Sequence, residues 1–189
     1  MRALPHLITF FRLACSPVVA WLLLEAHFKA GLGLIMLAGV SDWLDGWAAR
    51  QLRSAGHLGV VLDPLADKVL LVTLFVVLGI MQLIPLWMFW LVIGRDLVIV
   101  VGAFLVRTLR GVRKFLPTML GKVSTFFQIV LVLLAVCYAA FPARVLFWLD
   151  MTALALSALF TFLSGADYVR IGIQMARRRH PLTPIRQTP

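Results

Sequence analysis

From Val69 to Gly94 the chain runs without a charged residue. A membrane-spanning helix needs about 20 consecutive apolar residues, and few other structures use such a run. Comparable segments recur along the chain and are drawn at 5–25, 30–50, 59–82, 85–107, 117–141 and 145–170. The breaks between them have local causes. The region of Gly31 and Gly33 opens the second segment, Gln82 to Pro85 divides the long uncharged run, and Phe141, Pro142 and Ala143 end the fifth. The expected fold is all-α, a polytopic integral membrane bundle of six transmembrane helices. Composition agrees: hydrophobic residues make up 62% and charged residues 14%, against about a quarter charged in soluble domains.

Lys and Arg set the expected orientation. Arg2, Arg50 and Arg53, the group Arg107, Arg110, Arg113 and Lys114, and Arg177, Arg178 and Arg179 fall on one side, against Lys29 and Arg144 on the other. Both termini are therefore expected in the cytoplasm, with the chain a multi-pass protein of the cytoplasmic (inner) membrane. This asymmetry accounts for the net charge of +10, so no nucleic-acid partner is inferred from it. Residues 1–176 read as one transmembrane domain. Residues 177–189, RRRHPLTPIRQTP, read as a mobile basic tail near anionic headgroups. The opening MRALPHLITFFRLACSPVVAW has a basic start and an apolar run, as a signal peptide would. Arg12 interrupts that run, and the segment is read instead as the retained first helix. Cys15 and Cys137 lie far apart in apolar stretches without ligand spacing, which predicts buried thiols rather than a disulfide or a metal site.

Against this background Asp42–Asp67 stands out, because it holds four of the eight acidic residues. Carboxylates near lipid are costly and mark function. Asp42 and Asp45 are i and i+3, with Ala49 four residues further on, and Gly59, Asp63 and Asp67 are successive i+4 neighbours, so each set shares one helical face. At about 1.5 Å per residue all four carboxylates fall in one layer beneath the cytoplasmic surface. Unpaired, they would repel one another and take up protons. Two divalent cations would neutralise them, and oxygen-only donors favour Mg²⁺ or Mn²⁺. A two-metal site suits phosphoanhydride cleavage. Asp63 precedes Pro64, so it reads either as the cap of a helix beginning at Pro64 or as a residue inside one.

Together Asp42, Asp45, Gly46, Ala49, Arg50, Gly59, Asp63 and Asp67 form D-x2-D-G-x2-A-R-x8-G-x3-D-x3-D. The pattern resembles the signature of the CDP-alcohol phosphotransferases, integral membrane enzymes of phospholipid synthesis. The resemblance implies transfer of a substituted phosphate from a CDP-linked donor to an alcohol, with release of CMP. It implies metal binding by Asp42, Asp45 and Asp63. Asp67 would also lie at the metals and act as the general base. Asp42, Gly46, Ala49, Arg50 and Gly59 would line the CDP pocket, and a homodimer is expected. LPHLITFFRL is similar to the start of the phosphatidylglycerophosphate synthase branch, with His6 in place of Asn. GRD at 94–96 and GK-x-x-T-x-x-Q at 121–128 resemble both that branch and the CMP-forming cardiolipin synthases, and Asp96 leans toward the latter.

Other polar residues are candidates for the acceptor. Arg95 and Asp96 lie well inside the fourth segment and read equally as a structural pair or as substrate ligands. Arg107, Arg110 and Lys122 are further candidates. Lys68 reads as a phosphate partner or a snorkelling residue. The leading function is phosphatidyl transfer from CDP-diacylglycerol to glycerol 3-phosphate, followed by transfer to phosphatidylglycerol. A divalent-cation transporter is the reading from another class. It is disfavoured because transport sites sit near the midplane, often with internal repeats, and these acids lie toward one face beside arginines.

Overall fold

Apolar runs separated by turn residues become six helices: α1 (Leu4–Leu24), α2 (Phe28–Leu52), α3 (Gly59–Ile80), α4 (Leu86–Arg110), α5 (Met119–Ala140) and α6 (Arg144–Arg177). The computed structural model describes residues 4–52, 59–110 and 118–177. It describes side chains within 14–41, 118–174 and, apart from 103, 106 and 107, 68–108. Among the described residues all regular structure is helical. Two helical stretches, Met119–Ala140 and Arg144–Gln174, are long and apolar enough to cross a membrane.

The boundaries follow the sequence with informative departures. The first turn lies at 25–27 rather than at the glycines, and Ala26 takes a left-handed φ of 57° there. Gly31 and Gly33 lie inside α2. Gly31 serves packing, since a Cβ on it would come within 2.8 Å of Leu23 Cδ2, and its absence lets α2 close onto the end of α1. Gln82 turns the chain between α3 and α4 with a φ of 58°. α3 runs unbroken through Asp63 and Pro64, so Asp63 lies inside the helix rather than capping it. α4 and α6 continue past the expected residues 107 and 170. At about 1.5 Å per residue, α6 is roughly 50 Å long and outruns a hydrocarbon core of about 30 Å.

Helix packing follows a closed circuit: α1 with α2, α2 with α5, α5 with α6, α6 with α4, α4 with α3, and α3 with α1. A seventh packing contact, α3 with α5, divides the circuit in two. One half is the four-sided arrangement α1–α2–α5–α3, in which α2 and α3 are opposite corners. The other is α3–α4–α6–α5, in which α4 and α5 are opposite corners and do not pack on each other among the described residues. All six helices supply the core, among them Val19, Ile35, Phe75, Met88, Val136 and Ala153. Cys15 and Cys137 are free thiols, and Cys15 is buried.

Candidate active site

The second four-helix arrangement holds a cluster of charged residues built on Arg95. Its side chain is nearly buried, at 9% exposure, and a buried guanidinium needs partners for its donors. Nε donates to Ser164 Oγ at 3.2 Å, Nη2 donates to the same oxygen at 3.0 Å and to the Gly121 carbonyl at 3.4 Å, and Nη1 donates to Asp96 Oδ1 at 2.9 Å. The guanidinium carbon also lies 5.6 Å from the centre of the Tyr168 ring, within cation–π range. The other Asp96 oxygen pairs with the Lys68 ammonium. Residues of α3, α4, α5 and α6 are thus joined through one pair of adjacent residues.

Local structure fixes the surrounding parts. Thr118 caps α5 by accepting the Gly121 N–H at 3.1 Å, a common way to satisfy a free helical donor. The Thr118 N–H donates to Tyr168 Oη at 3.1 Å, which pins the start of α5 to α6. Gly121 leaves little room for a side chain. A Cβ there would lie 3.0 Å from both Arg95 Nη2 and Tyr168 Oη. One turn further on, Ser124, Gln128 and Thr161 form a buried network. Gln128 Nε2 donates to Thr161 Oγ1 at 3.0 Å and to Ser124 Oγ at 3.3 Å, and the Ser124 and Thr161 hydroxyls lie 3.0 Å apart.

An open pocket of about 750 Å³ lies over this cluster. Its polar lining includes Lys68, Arg95, Asp96 and Lys122, and its apolar wall includes Ile99, Val100, Phe126 and Ile129. Lys122 is exposed, and among the described residues it has no hydrogen bond or ion pair. Lys68, read from the sequence as a phosphate partner or a snorkelling residue, lines the pocket and is paired with Asp96.

Of the acceptor candidates, the structure brings Arg95, Asp96 and Lys122 together and adds Lys68. Arg107 and Arg110 lie on the last turns of α4, and their side chains fall outside the described residues. Gln128 belongs to the buried packing network rather than the pocket. The aspartate motif is carried on two helices: Asp42, Asp45, Gly46, Ala49 and Arg50 on α2, and Gly59, Asp63 and Asp67 on α3. Their side chains also fall outside the described residues. Sequence reasoning missed Ser164. Its spacing of four from Tyr168 in an otherwise apolar helix was the available signal.

The model of the CDP-alcohol phosphatidyltransferase family matches residues 2–163. The chain belongs to this family. Across 145 residues it is 37% identical to the CMP-forming cardiolipin synthase of Rattus norvegicus, covering 68% of this chain and 48% of the relative. The Homo sapiens protein of the same name is 35% identical over the same coverage. The chain therefore spans about half the length of these mammalian relatives. The CDP-diacylglycerol--glycerol-3-phosphate 3-phosphatidyltransferase of Aquifex aeolicus is 32% identical over 179 residues, covering 90% of this chain and 96% of the relative. Within the CDP-alcohol phosphatidyltransferase family, the matched stretch contains the whole aspartate motif and stops one residue short of Ser164.

Proposed function

We propose that the protein transfers the phosphatidyl group of CDP-diacylglycerol to a hydroxyl of an anionic, glycerol-containing acceptor and releases CMP. The observation that carries this reading is the placement of the family's aspartates on α2 and α3. The two helices are opposite corners of one arrangement and share both neighbours, α1 and α5. Helix runs unbroken through Asp42 and Asp45 and through Asp63 and Asp67, so each pair keeps to one face.

This all-oxygen donor set fits Mg²⁺ or Mn²⁺, two per site. Bound there, the ions would offset the charge of the donor diphosphate and of the departing phosphate. Asp42, Asp45 and Asp63 would hold them, with Asp67 assigned to the same site. Asp67 takes the proton from the acceptor hydroxyl as that oxygen bonds to the phosphorus carrying the diacylglycerol. The bond from this phosphorus to the CMP oxygen breaks, and CMP leaves with the electron pair. Gly46, Ala49 and Gly59 admit the nucleotide closely because they are small, and Arg50 and Asp42 contact the CDP portion.

Two acceptors fit. Glycerol 3-phosphate appears in the name of the Aquifex aeolicus relative and gives phosphatidylglycerophosphate. Phosphatidylglycerol gives cardiolipin, the product named in the mammalian relatives.

The reading places all six helices across the cytoplasmic membrane, with both termini and the aspartates on the cytoplasmic side. Exposed Trp21, Trp87, Trp90 and Trp148 support it. Each lies near a helix end adjoining the 25–27, 81–85 or 141–143 connection, as an aromatic belt at the far interface would. The basic residues cluster at the opposite helix ends. The active form is a homodimer, which cross-linking in native membranes would show.

The test uses purified protein, labelled CDP-diacylglycerol and, separately, glycerol 3-phosphate, phosphatidylglycerol, inositol phosphate or serine. CMP release coupled to one glycerol-containing lipid product is expected. Release with none of them overturns the reading.

A further inference from the structure

Among the described side chains of α3, residues 68–80, only Lys68 and Thr73 are polar, and each is tied to a different helix. Lys68 pairs with Asp96 of α4. Asp96 is held in turn by the Arg95 guanidinium, which is anchored on Ser164 of α6. Thr73 accepts a hydrogen bond of 3.0 Å from Ser16 Oγ of α1, and Ser16 is buried. Lys68 and Thr73 lie five positions apart, so their side chains leave α3 about 140° apart around its axis. α1 belongs to one four-helix arrangement and α4 to the other. The ties therefore grip α3 from both halves of the bundle.

Two grips in such different directions fix a rotation that apolar contacts leave soft, because aliphatic side chains repack at modest cost and lipid supplies no hydrophobic force between helices. A helix with its side chains is about 10–12 Å across, so a turn of about 10° moves a group at its rim by about 1 Å. A displacement of that size at a reacting group can cost about 100-fold in rate. Asp67 immediately precedes Lys68 on an unbroken helix, and Asp63 lies one turn earlier. Whatever turns the backbone at Lys68 turns it at both.

We infer that Lys68 with Asp96, and Thr73 with Ser16, are positioning residues that hold the rotation of α3 and, through its backbone, the placement of Asp67. This role rests on the phosphatidyltransferase reading, in which Asp67 is the base. It requires none of the four side chains to touch a substrate.

Both ties can be cut without altering α3. Ser16→Ala and Asp96→Asn are each expected to lower kcat for CMP release about tenfold, and together about 100-fold, with KM for CDP-diacylglycerol and for the acceptor changed less than about twofold. Turnover is measured well below the Tm of each variant, so loss of folded protein does not enter. Thr73→Val should match Ser16→Ala, whereas Thr73→Ser keeps the hydroxyl and should keep kcat. Rotation is read without turnover from nitroxide labels at Val69, Val76 and Ile80, exposed residues of α3, with the full-length protein in lipid nanodiscs. Their accessibility to oxygen is expected to change in the Ser16→Ala, Asp96→Asn double variant. It should not change in Thr152→Val, whose hydroxyl donates to the Leu149 carbonyl of its own helix. Native label accessibility in the double variant overturns the inference, whatever the turnover. So does native kcat, and so does a raised acceptor KM at native kcat, which would make Asp96 a substrate ligand. Failure of the native protein to release CMP with any acceptor defeats the underlying reading instead, while the labels still decide whether the two ties set the rotation of α3.

Discussion

Two serines on α6 offer a sharp test of what holds the Arg95 cluster together. Ser164 and Ser157 are equally buried and lie on the same helix. Ser164 accepts two hydrogen bonds from the Arg95 guanidinium, whereas the Ser157 hydroxyl has no partner among the described residues. Ser164→Ala leaves Nε without an acceptor and Nη2 with only the longer bond to the Gly121 carbonyl. Neutral hydrogen bonds between membrane helices average only about 0.6 kcal/mol. Bonds to a charged group are stronger, so a loss of about 2 kcal/mol is expected here. For a chain of this size that corresponds to a fall of roughly 4–8 °C in Tm. Ser157→Ala removes a hydroxyl that is buried without reward, so Tm should hold or rise. A thiol-reactive fluorophore in detergent is a suitable assay, because buried Cys15 becomes reactive when the bundle opens. Equal falls in both variants would show that helix packing, not guanidinium bonding, sets the stability of this region.

Three further outcomes follow from the same geometry. Asp67→Asn should abolish CMP release while Tm and CDP-diacylglycerol binding persist; turnover near that of the native protein would remove its role as base. Chelation should abolish turnover, with recovery on adding Mg²⁺ or Mn²⁺, and unchanged turnover in chelator would refute the two-metal reading. Gly121→Ala should lower stability by about 1–3 kcal/mol, because neither Arg95 nor Tyr168 can retreat without losing a bond. Its control is Gly94→Ala, where a Cβ meets open space, and thermal denaturation of the pair should separate them.

Helix number and approximate position were legible because apolar runs and turn residues are local signals. The unbroken path of α3 through Pro64 was not, because the sequence permits either a cap or a helix interior there. Gly31 misled in an instructive way. Its value lies in the close approach of Leu23, a contact that no local pattern reveals. The aspartate motif was legible as helical spacing, and α2 and α3 carry it as expected. Arg95 and Asp96 left two meanings open in the sequence. The structure gives Arg95 a structural task, since Ser164 and Gly121 occupy its donors, while Asp96 links it to Lys68. Ser164 and Gln128 were obscure for the same reason: a small polar residue in an apolar helix shows its purpose only when its partner on another helix is known.

The family match ends at residue 163, yet Ser164 and Tyr168, which hold Arg95 and the start of α5, lie just past it. Kinship is thus recorded over a shorter stretch than the one that must travel together. A chain cut at that boundary would keep every motif aspartate and Asp96, but would take from the buried Arg95 guanidinium its Ser164 acceptor and the Tyr168 ring. Any chimaera between members of this family should therefore place its junction beyond Tyr168, where the last anchor of the charged cluster has been passed.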